Sequence, residues 1–195
     1  MPGLSRNAQV LRYLLEQAPG VGHTLLAKFA YLADLLARQH LGRPISAMQY
    51  TYDNHGPFDA VAFYTARNEL VRSGLITHAP AEIGGYAAFE MHPTDRVVAY
   101  DFDEGEMAIL TWVARTYGSW NATDLCHHVV YTSKPMKDAQ PGAKLDMEQM
   151  SREPEELGFS LERMLAGEKS AEKGDVRPLA DVLNELRARY SRTGR

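Results

Sequence analysis

A single cysteine, Cys126, is all the thiol chemistry this chain of 195 residues contains. No intramolecular disulfide can form, and the composition suits a reducing compartment. Long apolar runs are missing too: none approaches the ~20 residues that a membrane-spanning helix needs. The opening residues, Met1-Pro2-Gly3-Leu4-Ser5-Arg6, lack the charged-then-apolar order of a secretory signal. These absences lead to the expectation of a cytoplasmic protein with no membrane partner. Excess positive charge is also absent. The formal net charge is −4, which makes nucleic acid an unlikely partner, since such binding favours basic surfaces. There is no internal repeat and no low-complexity tract.

Catalytic apparatus is equally scarce. Gly20-Val21-Gly22 and Gly84-Gly85 have neither the spacing nor the lysine of a phosphate-binding loop. Cys126, His127 and His128 are adjacent, so on a helix they point about 100° apart. Metal ligands on one helix are normally three or four positions apart, as in His-Glu-x-x-His. Cys126 with His128 can be drawn as a nucleophile and base, but cysteine is commonly buried as a small hydrophobe, and no recognisable local signature surrounds this one. The acidic group Asp101, Asp103, Glu104 and Glu106 lacks the spacing of a calcium loop and reads as a solvated helix N-terminus. The expectation is a non-enzyme with no catalytic residue, no cofactor and no metal.

What the sequence does contain is a series of amphipathic segments, and 45% hydrophobic residues to fill a core. Ser5 is placed to cap a helix with the stripe Val10, Leu11, Leu14 and Leu15. Pro19-Gly20 ends it. Thr24 is placed to cap the next, with Leu25, Phe29, Leu32 and Leu36 on one face. Gly42 suits its left-handed C-cap, and Pro44 prevents continuation. Asp53 to Pro57 reads as a loop. Phe58 to Ser73 reads as a helix with Val61, Ala62, Leu70 and Val71 inward. Leu75 to His78 and Tyr86 to Met91 are strand candidates joined by Ala79 to Gly85. A short helix is expected to begin at Pro93. Another helix begins at Asp103 or Glu104 and runs through Tyr117, and a further one runs from Ser119 or Asn121 to Tyr131. A long connection, Thr132 to Gly158, precedes a short helix at Phe159 to Ala166, a charged spacer at Gly167 to Arg177, and a last amphipathic helix at Pro178 to Tyr190. The fold class expected is mainly α (α+β): a compact helical domain with a small antiparallel β-hairpin and a winged-helix-like outline. Its bounds are 1–146, with a C-terminal extension over 147–195.

Two groups are candidates for binding a partner. Tyr50, Tyr52, His55 and Phe58 edge the loop around Gly56-Pro57, and tyrosine is enriched at interaction hot spots. Leu179, Leu183 and Leu186, with Arg187, form the second, on an apolar stripe suited to docking in a partner's groove. The helix that ends in Gly74-Leu75-Ile76 and the hairpin after it raise a DNA-binding alternative. From Phe58 to Met91, however, Asp59, Glu69, Glu82 and Glu90 stand against only Arg67 and Arg72, whereas a DNA-reading surface should neutralise phosphates.

The order of several motifs carries more. Phe29-Ala30-Tyr31-Leu32-Ala33-Asp34 is followed by Gly42-Arg43-Pro44-Ile45, Tyr50, His55-Gly56-Pro57 and Leu70-x-x-x-Gly74-Leu75-Ile76. Tyr117-Gly118-Ser119, the helix Ala122 to Tyr131 and Lys134-Pro135-Met136-Lys137-Asp138-Ala139 come after. This succession, over Leu4 to Asp146, resembles the SocA-like Panacea domain, although Met136 stands where that resemblance leads one to expect a bulky aromatic. The resemblance implies a mainly helical fold with a small β element. It also implies a phage- or mobile-element-associated antitoxin of a toxin–antitoxin system, which neutralises a cognate toxin encoded by the adjacent gene through direct protein binding. One type in the family is an adaptor that delivers its toxin to a protease, so a protease or a chaperone is a further implied partner. The competing expectation is a winged-helix-like DNA-binding transcriptional regulator.

Overall fold

A computed structural model of the protein describes residues 3–83, 86–152 and 159–172. The chain divides into two units, Met1–Leu161 and Glu162–Arg195. Within the described residues the fold is mixed α+β and mainly helical.

Helix α1 (Arg6–Gln17) begins where Ser5 Oγ accepts from the amide of Ala8 at 3.3 Å, and it buries Val10, Leu11, Leu14 and Leu15 as its periodicity predicts. A two-residue strand, β1 (Val21–Gly22), leads into α2 (His23–Leu41), which Gly22 rather than Thr24 caps, without a side-chain bond. Every residue of α2 from Leu25 to Ala37 is buried, so the helix is the axis of the core and not a one-faced amphipath. It packs against α1, against α4 and against the segments described below. Gly42, at φ 71°, closes it in the left-handed conformation that a Cβ would strain.

Three buried polar side chains tie α2 to three later segments. Asp34 accepts from the amides of Ile45 (2.9 Å) and Ser46 (2.8 Å), from the Ser46 hydroxyl and from the Tyr50 hydroxyl (2.8 Å). Tyr31 and Ser133 share a hydroxyl–hydroxyl bond at 2.8 Å. Lys28 donates to the Pro57 carbonyl at 2.9 Å. Buried polar groups persist only when so satisfied, and the 3-residue spacing of 28, 31 and 34 keeps them on one side of the helix.

Asp53 to Pro57 is not a plain loop. β2 (Thr51–Asp53) and β3 (Gly56–Phe58) form a tight hairpin in which Asp53 pairs with Gly56. Helix α3 (Ala60–Arg72), capped by Asp59, buries Phe63, Ala66 and Leu70. Val61 and Val71 were expected inward and are instead exposed, Val61 at 80%. The helix carries apolar residues on both sides, and periodicity alone does not choose between them. At its end Gly74 (φ 64°) donates to Val71 and Leu75 donates to Leu70, the paired bonds of a Schellman stop.

The hairpin that follows is longer than expected. β4 (Ile76–Ile83) and β5 (Tyr86–Pro93) pair from Ile76–Pro93 to Ile83–Tyr86, so Ala79 to Ile83 is strand and not connection. β1 adds to β5 through Val21–Met91, giving an antiparallel sheet in the order β1-β5-β4. Pro93 ends a strand, and no helix starts there. The helix-then-hairpin order of the winged-helix outline is present in α3, β4 and β5.

Helix α4 (Glu104–Tyr117) starts with a reciprocal capping box between Asp103 and Glu106. Glu106 is not the solvated end expected of it. Its carboxylate is buried and pairs with both Arg6 and Arg43. Helix α5 (Ala122–Leu125), capped by Asn121, continues into a π-helical turn, Cys126–Val130, whose i→i+5 bond runs from Tyr131 to Cys126 at 2.8 Å. The long connection contains α6 (Lys134–Lys137) and a 3-10 turn at Met147–Arg152 that packs on α2. Phe159 is buried edge-on to Trp112 and His40. Helix α7 (Leu161–Glu172) extends beyond the expected Ala166 into the expected charged spacer. The Pro178–Tyr190 helix lies outside the described residues. Among those residues no helix is long and apolar enough to cross a membrane.

Candidate functional site

A recess of ≈ 200 Å³ opens between the start of α2, the β2–β3 hairpin and α3. Its lining includes His23, Lys28, Asp53, His55, Phe58 and Tyr64. The chain builds it through Gly56. At φ 88° this residue lets the hairpin close, and a Cβ there would lie 3.4 Å from both Lys28 Nζ and Tyr131 Cε1. The backbone approaches the lysine closely because position 56 has no side chain.

Lys28 dominates the electrostatics. The residue is 2% exposed, and burial lowers its pKa to about 8, against weaker upward pulls from Cys126 and Asp53. Cys126 lies against the same hairpin, 3.7 Å from the His55 carbonyl. Burial pushes its thiol above the usual range, with Lys28 opposing. A thiol so held is a poor nucleophile at neutral pH. His127 and His128 point to solvent from the π-helical turn. No group of three His, Cys, Asp or Glu side chains suited to a metal ion occurs among the described residues.

Aromatic rings continue from the recess across the surface. Phe58 meets Tyr64 at 5.8 Å between centroids, Tyr64 meets His23 at 6.2 Å, His23 meets His78 at 5.9 Å, and His78 meets Phe89 at 6.5 Å. Tyr64 is 41% exposed and Phe89 54%. Arg67 lies over the Tyr64 ring at 5.0 Å and reaches His23 Nε2 at 3.4 Å. Burial lowers the pKa of His23, with Arg67 and His78 adding to the effect. Burial and then Arg67 lower that of His78.

Of the residues singled out from sequence, His55 and Phe58 line this recess. Tyr52 lies on the neighbouring side of the hairpin, 6.2 Å from the Tyr131 ring. Tyr50, expected at the surface, is in the core at 2% exposure with its hydroxyl on Asp34. Its side chain therefore serves the turn after α2 and is not presented to a partner. Leu179, Leu183, Leu186 and Arg187 lie outside the described residues. Sequence reasoning missed Lys28, His23, His78 and Phe89. Lys28 carried a signal, being the lone cation in the apolar run from Thr24 to Ala37. The other three are joined only by the pairing of distant segments.

No protein-family model matches the chain, and no curated protein or solved structure matches it either.

Proposed function

We propose that this protein is a non-enzymatic antitoxin that acts in the cytoplasm and neutralises a cognate toxin, encoded by the adjacent gene, through direct binding. The observation that carries the reading is the aromatic strip Phe58–Tyr64–His23–His78–Phe89, in which Tyr64, His78 and Phe89 are exposed and Phe58 and His23 half-buried. Exposed aromatic patches rimmed by polar groups are the usual mark of a protein-binding surface. Val61, fully on the outer side of α3, extends the apolar area. The resemblance to the SocA-like Panacea domain supplies the partner class. The high thiol pKa of Cys126 agrees with a binding role and not with thiolate chemistry.

Co-expression with the neighbouring open reading frame tests this. Relief of growth arrest together with a stable co-purified complex is the expected result. Relief with disappearance of the toxin would reassign the mechanism to delivery to a protease. Absence of both relief and complex would overturn the antitoxin reading.

The α3–β4–β5 outline keeps a second reading in view, a DNA-binding regulator. It is the weaker one, because the segment from Ile76 to Pro93 contains no lysine or arginine and offers nothing to release counterions from a phosphate backbone. Salt-dependent retention of the promoter fragment would favour it.

A further inference from the structure

Four arginines of the described structure meet carboxylates, while Arg72, Arg96, Arg115 and Lys144 donate to carbonyl or amide oxygens instead. Arg6 and Arg43 pair with Glu106, Arg43 also with Asp103, Arg12 with Glu16, and Arg38 with Glu148. Lys28 and Arg67 do not. Among the described residues neither has a carboxylate within ion-pair distance. Arg67 bonds only to its neighbour Asn68 and to His23. Lys28 uses one N–H on the Pro57 carbonyl, and an ammonium has three to give. Asp53 is the one carboxylate lining the recess, and its influence on Lys28 is through space. In a protein of net charge −4, the recess thus holds the buried ammonium of Lys28, with the Arg67 guanidinium against its lining residues Tyr64 and His23 and Asp53 as the one lining carboxylate.

We infer that this recess is a receptor for one acidic side chain, Asp or Glu, of the protein partner, with Lys28 at its floor and Arg67 at its rim. The inference rests on the protein-binding reading above and names the chemistry of the contact. The volume of ≈ 200 Å³ accommodates a single side chain and its first water. The walls, Phe58 and Tyr64, are apolar and aromatic, which suits the methylene stem of a glutamate. A desolvated charge-assisted bond gains strength from such surroundings. A nucleic-acid phosphate fits less well, because a backbone needs a run of cations and the adjoining hairpin supplies none.

The test titrates the full 15N-labelled chain with three probes: N-acetylglutamate methylamide, its glutamine counterpart and inorganic phosphate. The expected result is saturable shifts at the amides of residues 23, 28, 56 and 64 with the glutamate probe. Its binding should be about tenfold tighter than that of the glutamine probe, the difference an ionic hydrogen bond makes. Lys28→Met should abolish the glutamate response. Arg67→Gln should weaken it several-fold, and this rim substitution keeps the test decisive should the Lys28 variant not fold. Equal binding of glutamate and glutamine probes would overturn the proposal, as would a response unchanged by both substitutions. Phosphate binding more tightly than carboxylate would overturn it in favour of a nucleic-acid contact. The titration uses no toxin. A failed growth rescue with an intact glutamate response would therefore fell the antitoxin reading alone, and a toxin complex with no glutamate response would fell the recess alone.

Discussion

Lys28 Nζ sits 2.9 Å from the carbonyl oxygen of Pro57, so the central helix and the β2–β3 hairpin are joined through a buried cation that lacks a counter-ion. Water would solvate that ammonium better, and its pKa falls from the ordinary 10.5 to about 8 for this reason. Between these two values the unfolded chain holds a proton that the folded chain has released. Stability attributable to this residue therefore rises as the pH rises through that window.

Lys28→Met removes the buried charge and keeps the length of the side chain. A gap of this size is worth about 3 kcal/mol, and the Pro57 carbonyl left without a donor takes back about 1 kcal/mol. The variant should be more stable than the parent by about 2 kcal/mol at pH 7. Its advantage should shrink from pH 8 upward, and above pH 10.5, where the charge penalty is gone, the missing hydrogen bond should leave it about 1 kcal/mol below the parent. Urea denaturation of both proteins at pH 7 and pH 10 reads this directly. A variant less stable than the parent at pH 7 would mean that Lys28 is neutralised by a partner. A stabilised variant that no longer binds an acidic probe would show that the residue serves recognition at the expense of the fold.

Asp34 is the opposite case, a buried carboxylate that the fold fully uses. Burial pushes its pKa up, while the hydrogen bonds from Ser46, Tyr50 and Ile45 pull it back. Asp34→Ala leaves two backbone amides and two hydroxyls without their acceptor. Each such group costs about 1 kcal/mol or more, so a loss of about 4 kcal/mol is expected. Asp34→Asn should lose about half of that, since its carbonyl still accepts. Thermal melts of the two variants should fall in that order below the parent.

This anchoring explains which parts of the fold were legible in the sequence. The motifs Phe29 to Asp34, Gly42 to Ile45 and Tyr50 are distinctive because they form one hydrogen-bonded unit around Asp34. They specify a turn, and Tyr50 is a member of that unit and not of the surface. Caps were readable where a side chain does the work, as at Ser5 and Asp103. The start of α2 is not legible, because Gly22 caps it without one. The extent of β4 and β5 was hidden by Pro80 and by the small residues Ala79, Ala81, Ala87 and Ala88, which make strand only through pairing. Glu106 looked like one of several surface acids until the fold brought in Arg6 and Arg43 from segments far away in the chain. The recess was half legible: the hairpin contributes His55 and Phe58, while His23 joins it, and His78 and Phe89 continue the aromatic strip beyond it, through tertiary contact alone.

Glu106→Gln probes that hidden cluster. Burial alone would raise its pKa, but hydrogen bonds from Arg6, from the Asp103 amide and from Arg43 outweigh it and hold the carboxyl below the usual 4.5. Its stabilising contribution is therefore fully present above pH 4.5 and disappears as the pH falls through the lower folded-state value. Since Arg43 is half exposed, the substitution should cost about 2 kcal/mol at pH 7. Denaturation midpoints of parent and variant should differ by a constant amount from pH 7 to pH 5 and converge in stronger acid. A difference that persisted at pH 2 would show that packing, and not charge, gives Glu106 its role.

Tyr64 separates binding from folding. Its ring touches His23, Phe58 and Phe63, yet much of it faces solvent at 41% exposure. Tyr64→Ala removes the middle of the aromatic strip and uncovers the side of the recess. An exposed ring contributes little to folding, so stability should change by no more than about 1 kcal/mol. Truncation of an aromatic hot spot commonly costs about 2 kcal/mol of binding energy or more, which is roughly a thirtyfold loss of affinity. Growth rescue in the co-expression assay, with the affinity of the purified pair measured by calorimetry, should therefore weaken at Tyr64→Ala. It should hold at Thr65→Ala, which is exposed on the same helix outside the ring contacts. Equal rescue by both variants would remove the strip from the contact surface.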